Sequence, residues 1–292
     1  MSIPENLLHV VRSDEPLTPL VYLGIGGPAH FFAEPVDLEQ LAQVVRWASE
    51  SELPIRILGA GSNVLVRESG FDGVVISLAA AEMSSLQVEG TRLTAGAGGT
   101  LSHAVVKAVG SGLAGLEHLI GIPGSVGAAV VGNVSSGGRE IGPAVARVQV
   151  LQPDGSKESL DHGEIGFAHR STSLEGRLVV SVEFELEKAD PLRLTKRLQK
   201  LWITQNSHRP TEIERIAMPF VDPDTISARE LIQSVGLAGI REGEVELDGA
   251  QPHYLVAHPG ATSEQCLKLI ERVREQVLLQ TGIDLQLNLQ IW

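Results

Sequence analysis

Hydrophobic and polar positions recur along this chain with two periods, and each change of period marks an element. Residues 1–20 show neither and read as an irregular lead-in. GIGGPAHFFAEP reads as a turn followed by a short apolar strand. Asp37 then caps a helix, with Gln40 three residues on, and Leu38, Leu41, Val45 and Ala48 fall on one face. PIRILGAGSNVLV reads as strand, small-residue turn and strand, and GVVISL as a third strand, so residues 21–78 form a small α/β unit.

LQVEG and TRLTAGA, within 84–97, pair as short strands around Gly90. Thr100 caps a helix over 101–109 that Gly110 or Gly112 ends. GLEHLIGIPGSVGAAVVGNVSSGGREIG is too rich in glycine for one regular element. VARVQVLQPDGSKESL is a hairpin turning at Pro153-Asp154-Gly155, and RLVVSVEFELE is a long strand. The stretch 190–226 turns polar, which places a domain boundary near 190–200. Beyond it, Ser227 with Glu230 and Thr262 with Gln265 cap two helices, the second striped by Cys266, Ile270, Val273 and Val277. QPHYLVA is a short strand between them. In DLQLNLQIW, Leu285, Leu287, Leu289 and Ile291 alternate with Gln286, Asn288 and Gln290, the period of a half-buried strand. These later elements fit a small α+β domain.

A chain of 292 residues exceeds one ordinary core, so two or three domains are expected. No apolar run is long enough to span a bilayer, and MSIPENLLHV lacks the pattern of a signal peptide, so a cytoplasmic location and no membrane partner are expected. A net charge of −13 argues against a nucleic-acid partner and requires locally placed cations for any anionic substrate. The single cysteine, Cys266, lies on an apolar helix stripe and reads as a core residue, and nine scattered histidines give no metal-ligand spacing. Oligomeric state is not legible.

Candidate chemistry lies in two small-residue segments. Gly59, Ala60, Gly61, Ser62 and Asn63 join two strands, and such a turn presents consecutive backbone N–H groups that bind oxyanions without lysine or arginine. Gly121, Ile122, Pro123, Gly124, Ser125 and Gly127 have the same character, continued by Asn133 and Ser135 to Gly138. Two such turns suit a dinucleotide with its pair of phosphates; they fit equally a pair of tight turns without a ligand. Neither GxGxxG after a strand nor GxxxxGK[ST] occurs, which excludes the Rossmann and P-loop fingerprints.

ILGAGSNVLVRESGFDGVVISL, with GIGGPAHFFAEP upstream and GLEHLIGIPGSVGAAVVGN downstream, resembles the FAD segments of the UDP-N-acetylenolpyruvoylglucosamine reductase (MurB) family. FAHRSTSL resembles its tyrosine-arginine-x-serine stretch, and ARELIQSVGLAGIREGEVELDGAQPHYLV with GATSEQCLKLIERVREQV resembles its C-terminal domain. The similarity runs from about residue 20 to the end, without the insertion of the longer members, which implies the shorter subtype. The resemblance implies an α+β fold: a vanillyl-alcohol-oxidase/PCMH-type FAD-binding fold of two subdomains, at 1–80 and 81–195, and a C-terminal α+β substrate domain at 196–292. It implies FAD as cofactor, NADPH as co-substrate and a nucleotide sugar as substrate. The implied reaction reduces UDP-N-acetylglucosamine enolpyruvate to UDP-N-acetylmuramate for the peptidoglycan of the cell wall. Gly26 and Gly27 join the two segments above as implied cofactor contacts.

The catalytic positions carry over unevenly. Arg170 matches the family arginine that polarises the substrate carboxylate, a task for which a guanidinium fork is suited. His169 stands where tyrosine is usual and, with Asp222, is an implied substrate contact. The family stretch glycine-serine-x-phenylalanine-lysine-asparagine-proline appears as Ala217-Met218-Pro219-Phe220-Val221-Asp222-Pro223, so Met218, with no proton to transfer, occupies the acid's serine position. Asn288 occupies the position of the family's C-terminal glutamate. Three readings follow: a reductase of this type, a flavin-binding relative without the activity, or a flavin oxidoreductase acting on another substrate.

Overall fold

The computed structural model of the chain describes residues 2–80, 82–206, 215–223 and 226–292. Contacts divide the chain into two compact units. The first comprises Met1–Ser13, Phe31–Ala60 and Asp72–Ser207, the second Asp14–His30, Gly61–Phe71 and His208–Trp292.

The first unit is built on two sheets. Strands β1 (Val11–Pro16), β2 (Pro28–Ala33), β3 (Ile55–Leu58) and β4 (Phe71–Ser77) form one, in the order β1-β2-β4-β3. Helix α1 (Leu38–Glu50) lies between β2 and β3 in sequence; the Asp37 carboxylate accepts the Gln40 N–H at 2.8 Å, the expected cap. Residues 59–70, which hold no helix, connect β3 to β4, and the two pair in parallel, Ile55 beside Val74. The lead-in is more ordered than its sequence suggests, because Val11 buries its side chain at the head of β1.

The second sheet comprises β5 (Leu86–Glu89), β6 (Arg92–Gly96), β7 (Val145–Leu151), β8 (Lys157–Asp161) and β9 (Leu178–Glu185), in the order β8-β7-β9-β6-β5, every pairing antiparallel. The β7–β8 hairpin turns as expected, with Gly155 at φ +79° and the Ser156 N–H donating to the Asp154 carboxylate at 2.8 Å. Helix α2 (Leu101–Gly110) starts at Thr100, whose hydroxyl accepts the His103 N–H. The glycine-rich stretch holds a short helix, α3 (Val126–Val131), and a miniature hairpin pairing Ser135–Ser136 with Arg139–Glu140. One continuous apolar core, from Leu7 to Leu186 in sequence, underlies both sheets.

The polar stretch over 190–226 lies partly outside the described residues, and it opens with an unforeseen helix, α4 (Pro191–Asn206). Leu194, Leu198 and Leu201, at helical spacing, turn toward the first unit's core.

The second unit has one four-stranded antiparallel sheet of β10 (Ile216–Ala217), β11 (Arg241–Glu242), β12 (Val245–Leu247) and β13 (Leu255–Ala257), in the order β10-β13-β12-β11. Helices α5 (Ala228–Ser234) and α6 (Ser263–Thr281) both begin with the expected capping boxes, and Gly282 at φ +73° ends α6. The final strand is shorter than its alternation predicts. Only Gln290–Ile291 forms a ladder, parallel to Val64–Leu65. Leu285 and Leu289 are buried, but Leu287 remains 36% exposed because its segment meets Phe220 through a single bridge.

Candidate functional site

In the first unit the two small-residue segments meet. A Cβ added at Gly59 would stand 2.7 Å from Ser125 Oγ, so glycine is what lets the turn after β3 lie against the second segment. Ser125 is buried and caps α3, its hydroxyl accepting the Ala128 N–H. The segment is tied down by Leu101 N–H to Gly124 O, Val126 N–H to Gly99 O and Gly127 N–H to Ala97 O. The N–H groups of Gly121, Gly124 and Ser125 take no acceptor among the described residues. Space at Gly124, Gly137 and Gly138 is open: a Cβ there would meet nothing within 4 Å. Unengaged donors beside open backbone suit a phosphate-bearing cofactor.

Around this cradle lies a set of buried polar groups that glycine patterns did not reveal. Asn133 is fully buried at φ +40°; its amide donates to Glu140 Oε2 and to the Ala168 carbonyl, both at 2.8 Å, and its oxygen accepts the Gly142 N–H. Sequence pattern places Asn133 among the cofactor contacts; the structure engages its amide within the protein, where it ties three segments together. Glu117 is 1% exposed and accepts from the Gly115 N–H at 2.7 Å, with Arg197 at 3.0 Å and Arg139 at 3.5 Å. Burial raises its pKa, but the Gly115 N–H and both guanidinium groups outweigh it and hold the carboxyl below its usual range. Beside it His118 is 6% exposed; burial and then Arg139 push its pKa down, against the pull of Glu117, which keeps the ring neutral. The signal was present in sequence as a polar pair, Glu117-His118, inside the apolar run Leu116 to Ile120.

His169 and Arg170 form the two-residue turn between Phe167–Ala168 and Ser171–Thr172. Arg170 takes φ +56°, a left-handed conformation that a bulky residue adopts only when its surroundings impose it. His169 is exposed, 3.7 Å from Glu140.

In the second unit Gly26, Gly27 and Gly61 serve close packing. A Cβ on Gly26 would lie 2.4 Å from Val66 Cβ, one on Gly27 2.2 Å from Glu68 O, and one on Gly61 2.1 Å from Leu20 O. The Gly27 N–H is engaged by Arg67 O. Met218 and Asn288, far apart in sequence, are brought into contact: Asn288 Nδ2 donates to Met218 O at 3.0 Å and to Asn63 Oδ1 at 3.3 Å. The Asn63 amide in turn donates to the Asn288 carbonyl, so both members of this pair are engaged within the unit. Ser62 shares that turn and is half-buried. Asp222 accepts the Ala228 N–H at 2.9 Å, holding the start of α5. Met218 itself is 37% exposed. Cys266 is buried, as its helix stripe predicts. Among the described residues no helix is long and apolar enough to cross a membrane, and no group of acidic, histidine and cysteine side chains could hold a metal.

Residues 29–161 match the family of FAD-binding domains, which with the two-sheet unit and its small-residue turns defines the chain as a flavoprotein of the PCMH-type fold. Residues 209–292 match the C-terminal domain of UDP-N-acetylenolpyruvoylglucosamine reductase. The UDP-N-acetylenolpyruvoylglucosamine reductase of Rhodopirellula baltica is 61% identical over 289 residues, covering 99% of this chain and 95% of that protein. The reductase 2 of Symbiobacterium thermophilum is 34% identical, covering 97% of this chain and 92% of its own. The crystal structure of MurB from Thermus caldophilus superposes with a TM-score of 0.83 at 29% identity, covering 97% of this chain and 99% of that one. The chain belongs to the UDP-N-acetylenolpyruvoylglucosamine reductase family.

Proposed function

We propose that this protein reduces UDP-N-acetylglucosamine enolpyruvate to UDP-N-acetylmuramate with NADPH, as a step of peptidoglycan synthesis. The observation that carries the reading is full-length identity of 61% to a reductase of that name, on a chain whose two small-residue segments meet at Gly59 and Ser125. FAD fits the donors and open backbone of that cradle, with Gly59, Ala60, Gly121, Ile122, Pro123, Gly124, Ser125, Gly127 and Gly138 as the residues that would hold it. When bound, it supplies hydride transfer between NADPH and the enolpyruvyl ether. Residues 1–80 and 81–195 make its two subdomains, and 196–292 serves the substrate.

The chain's own residues have the remaining tasks. Arg170, held by its turn, orients the substrate carboxylate and stabilises negative charge developing next to it. His169 adds a polar edge beside it. Met218 supplies no proton, and Asn288 supplies only hydrogen bonds. A second reading, a flavin-holding relative without the reductase step, is favoured by that one observation: the two positions carry a thioether and an amide, and the amide of Asn288 is spent on the Met218 carbonyl and Asn63 Oδ1.

An anaerobic NADPH titration of the purified protein, followed through flavin absorption, separates the two. Bleaching by NADPH, then recolouring on addition of the enolpyruvyl nucleotide sugar, is the expected result. A yellow protein that NADPH does not bleach overturns the reductase reading and leaves the flavoprotein.

A further inference from the structure

The best-engaged buried charge in the first unit has no part in the reaction above. Glu117 sits four residues before Gly121, its carboxylate almost wholly buried. Its two arginine partners come from different segments: Arg139 from the miniature hairpin, Arg197 from α4. That hairpin turns at Gly137–Gly138, both at positive φ, with Arg139 opposite Ser136. A second tie runs parallel, Gln205 of α4 donating to Ser136 Oγ at 2.6 Å. The same Gln205 side chain packs on Gly121, whose added Cβ would lie 3.2 Å away. A two-residue ladder of this kind is marginal alone. Here the charge that holds it lies at the root of the phosphate-binding segment, and both arginines remain half exposed and free to swing if the carboxylate is lost.

We propose that Glu117 is the positioning residue of the cofactor cradle, latching the Ser135–Glu140 hairpin and α4 onto the turn that leads into Gly121–Gly127, so that FAD retention depends on the Glu117–Arg139 pair. Arg197, at 3.0 Å, still pairs the buried carboxylate when the half-exposed Arg139 is removed, so Arg139→Ala tests the latch without leaving that charge unpaired. The inference rests on the flavoprotein assignment and not on the reductase step.

The test has two readouts. FAD release from the loaded protein is timed by the recovery of free-flavin fluorescence, and amide exchange is followed over 135–140 with and without FAD. Arg139→Ala should speed release about tenfold and deprotect the hairpin in both states, while Arg139→Lys stays within about twofold of the parent. Glu117→Gln, which also releases Arg197, should do at least as much as Arg139→Ala, and the double variant no more than Glu117→Gln alone. Release at the parental rate in Arg139→Ala, or effects of the two substitutions that multiply, would overturn the latch. If the chain held no FAD at all, exchange over the hairpin would still decide whether the pair orders it.

Discussion

Asn63 and Asn288 hold each other by reciprocal bonds, the Asn63 amide donating to the Asn288 carbonyl and the Asn288 amide donating to Asn63 Oδ1 at 3.3 Å. The pair joins the turn after β3 to the last strand, where the Gln290 N–H also donates to Asn63 O. Asn63→Ala removes both side-chain bonds and should cost about 1–3 kcal/mol, read as a lower urea midpoint. Asn288→Asp is the sharper test. Its carboxyl would face two acceptors, Met218 O and Asn63 Oδ1, so its folded pKa is expected above the roughly 3.9 of a free aspartate. With the folded value raised, the protonated form is favoured by folding. Stability relative to the parent should then be best below about pH 4 and fall as pH rises through the folded pKa. A variant whose relative stability is flat from pH 4 to 7 would mean that those oxygens do not face position 288.

The same geometry bears on turnover. For a glutamate at 288, the same neighbouring oxygens would favour the proton-bound form, the direction an acid needs. Met218→Ser places a hydroxyl at the neighbouring position. Together, Met218→Ser and Asn288→Glu should raise the rate of enolpyruvyl reduction by about 10²-fold, the lower end of general-acid effects, with NADPH bleaching of the flavin unchanged. No gain in the second half-reaction would show that the parent draws its proton from another group.

Local chemistry was the most legible part of this sequence. Asp37, Thr100, Ser227 and Thr262 each cap the helix they precede, since a cap depends on a few neighbouring residues. Glycine segments were legible as turns, but what each glycine does was not. Gly59 yields to Ser125, from a segment more than sixty residues away, while Gly61 yields to Leu20 O, and only tertiary structure separates these roles. The alternation of Leu285 to Ile291 overstated the last strand because period alone does not supply a pairing partner for Leu287. Helix α4 went unread because its polar face outweighs its narrow stripe of Leu194, Leu198 and Leu201. Asn133 and Asp222, read in sequence as ligand contacts, also bond within the protein, and no local pattern records those bonds.

Those glycine roles give a graded series. Gly61→Val combines φ +66° with a backbone oxygen 2.1 Å from its Cβ and should cost roughly 2–4 kcal/mol and empty the protein of FAD. Gly59→Ala presses only on the Ser125 hydroxyl, which can rotate away at the loss of the α3 cap, about 1 kcal/mol. It should weaken FAD binding while the protein stays folded. Gly90→Ala, at φ +64° with nothing within 4 Å, should cost about 1 kcal/mol and leave flavin content untouched. Flavin absorbance per protein after gel filtration ranks the three, and a Gly61→Val protein that keeps its full FAD would sink the assignment of this turn to the cradle.

Cys266 offers a pH test of the second unit. Burial, with the nearby Glu68 carboxylate, pushes its thiol up to about 12 from an ordinary 9.0. Glu68 is itself fixed there, its carboxylate accepting from both the N–H and the hydroxyl of Ser263 at the start of α6. The native thiol should therefore ignore Ellman's reagent at pH 8 and react once the chain is unfolded in urea. Because the unfolded thiol releases its proton first, this group leaves stability unchanged below about pH 9. Above it, stability should fall by up to about 1.4 kcal/mol per pH unit until the folded thiol titrates. Cys266→Ala should lack that part of the alkaline decline while retaining whatever tyrosines and lysines contribute. A thiol in the folded protein that titrates near 9 would show that the α6 stripe opens to solvent, and would place Cys266 outside the core.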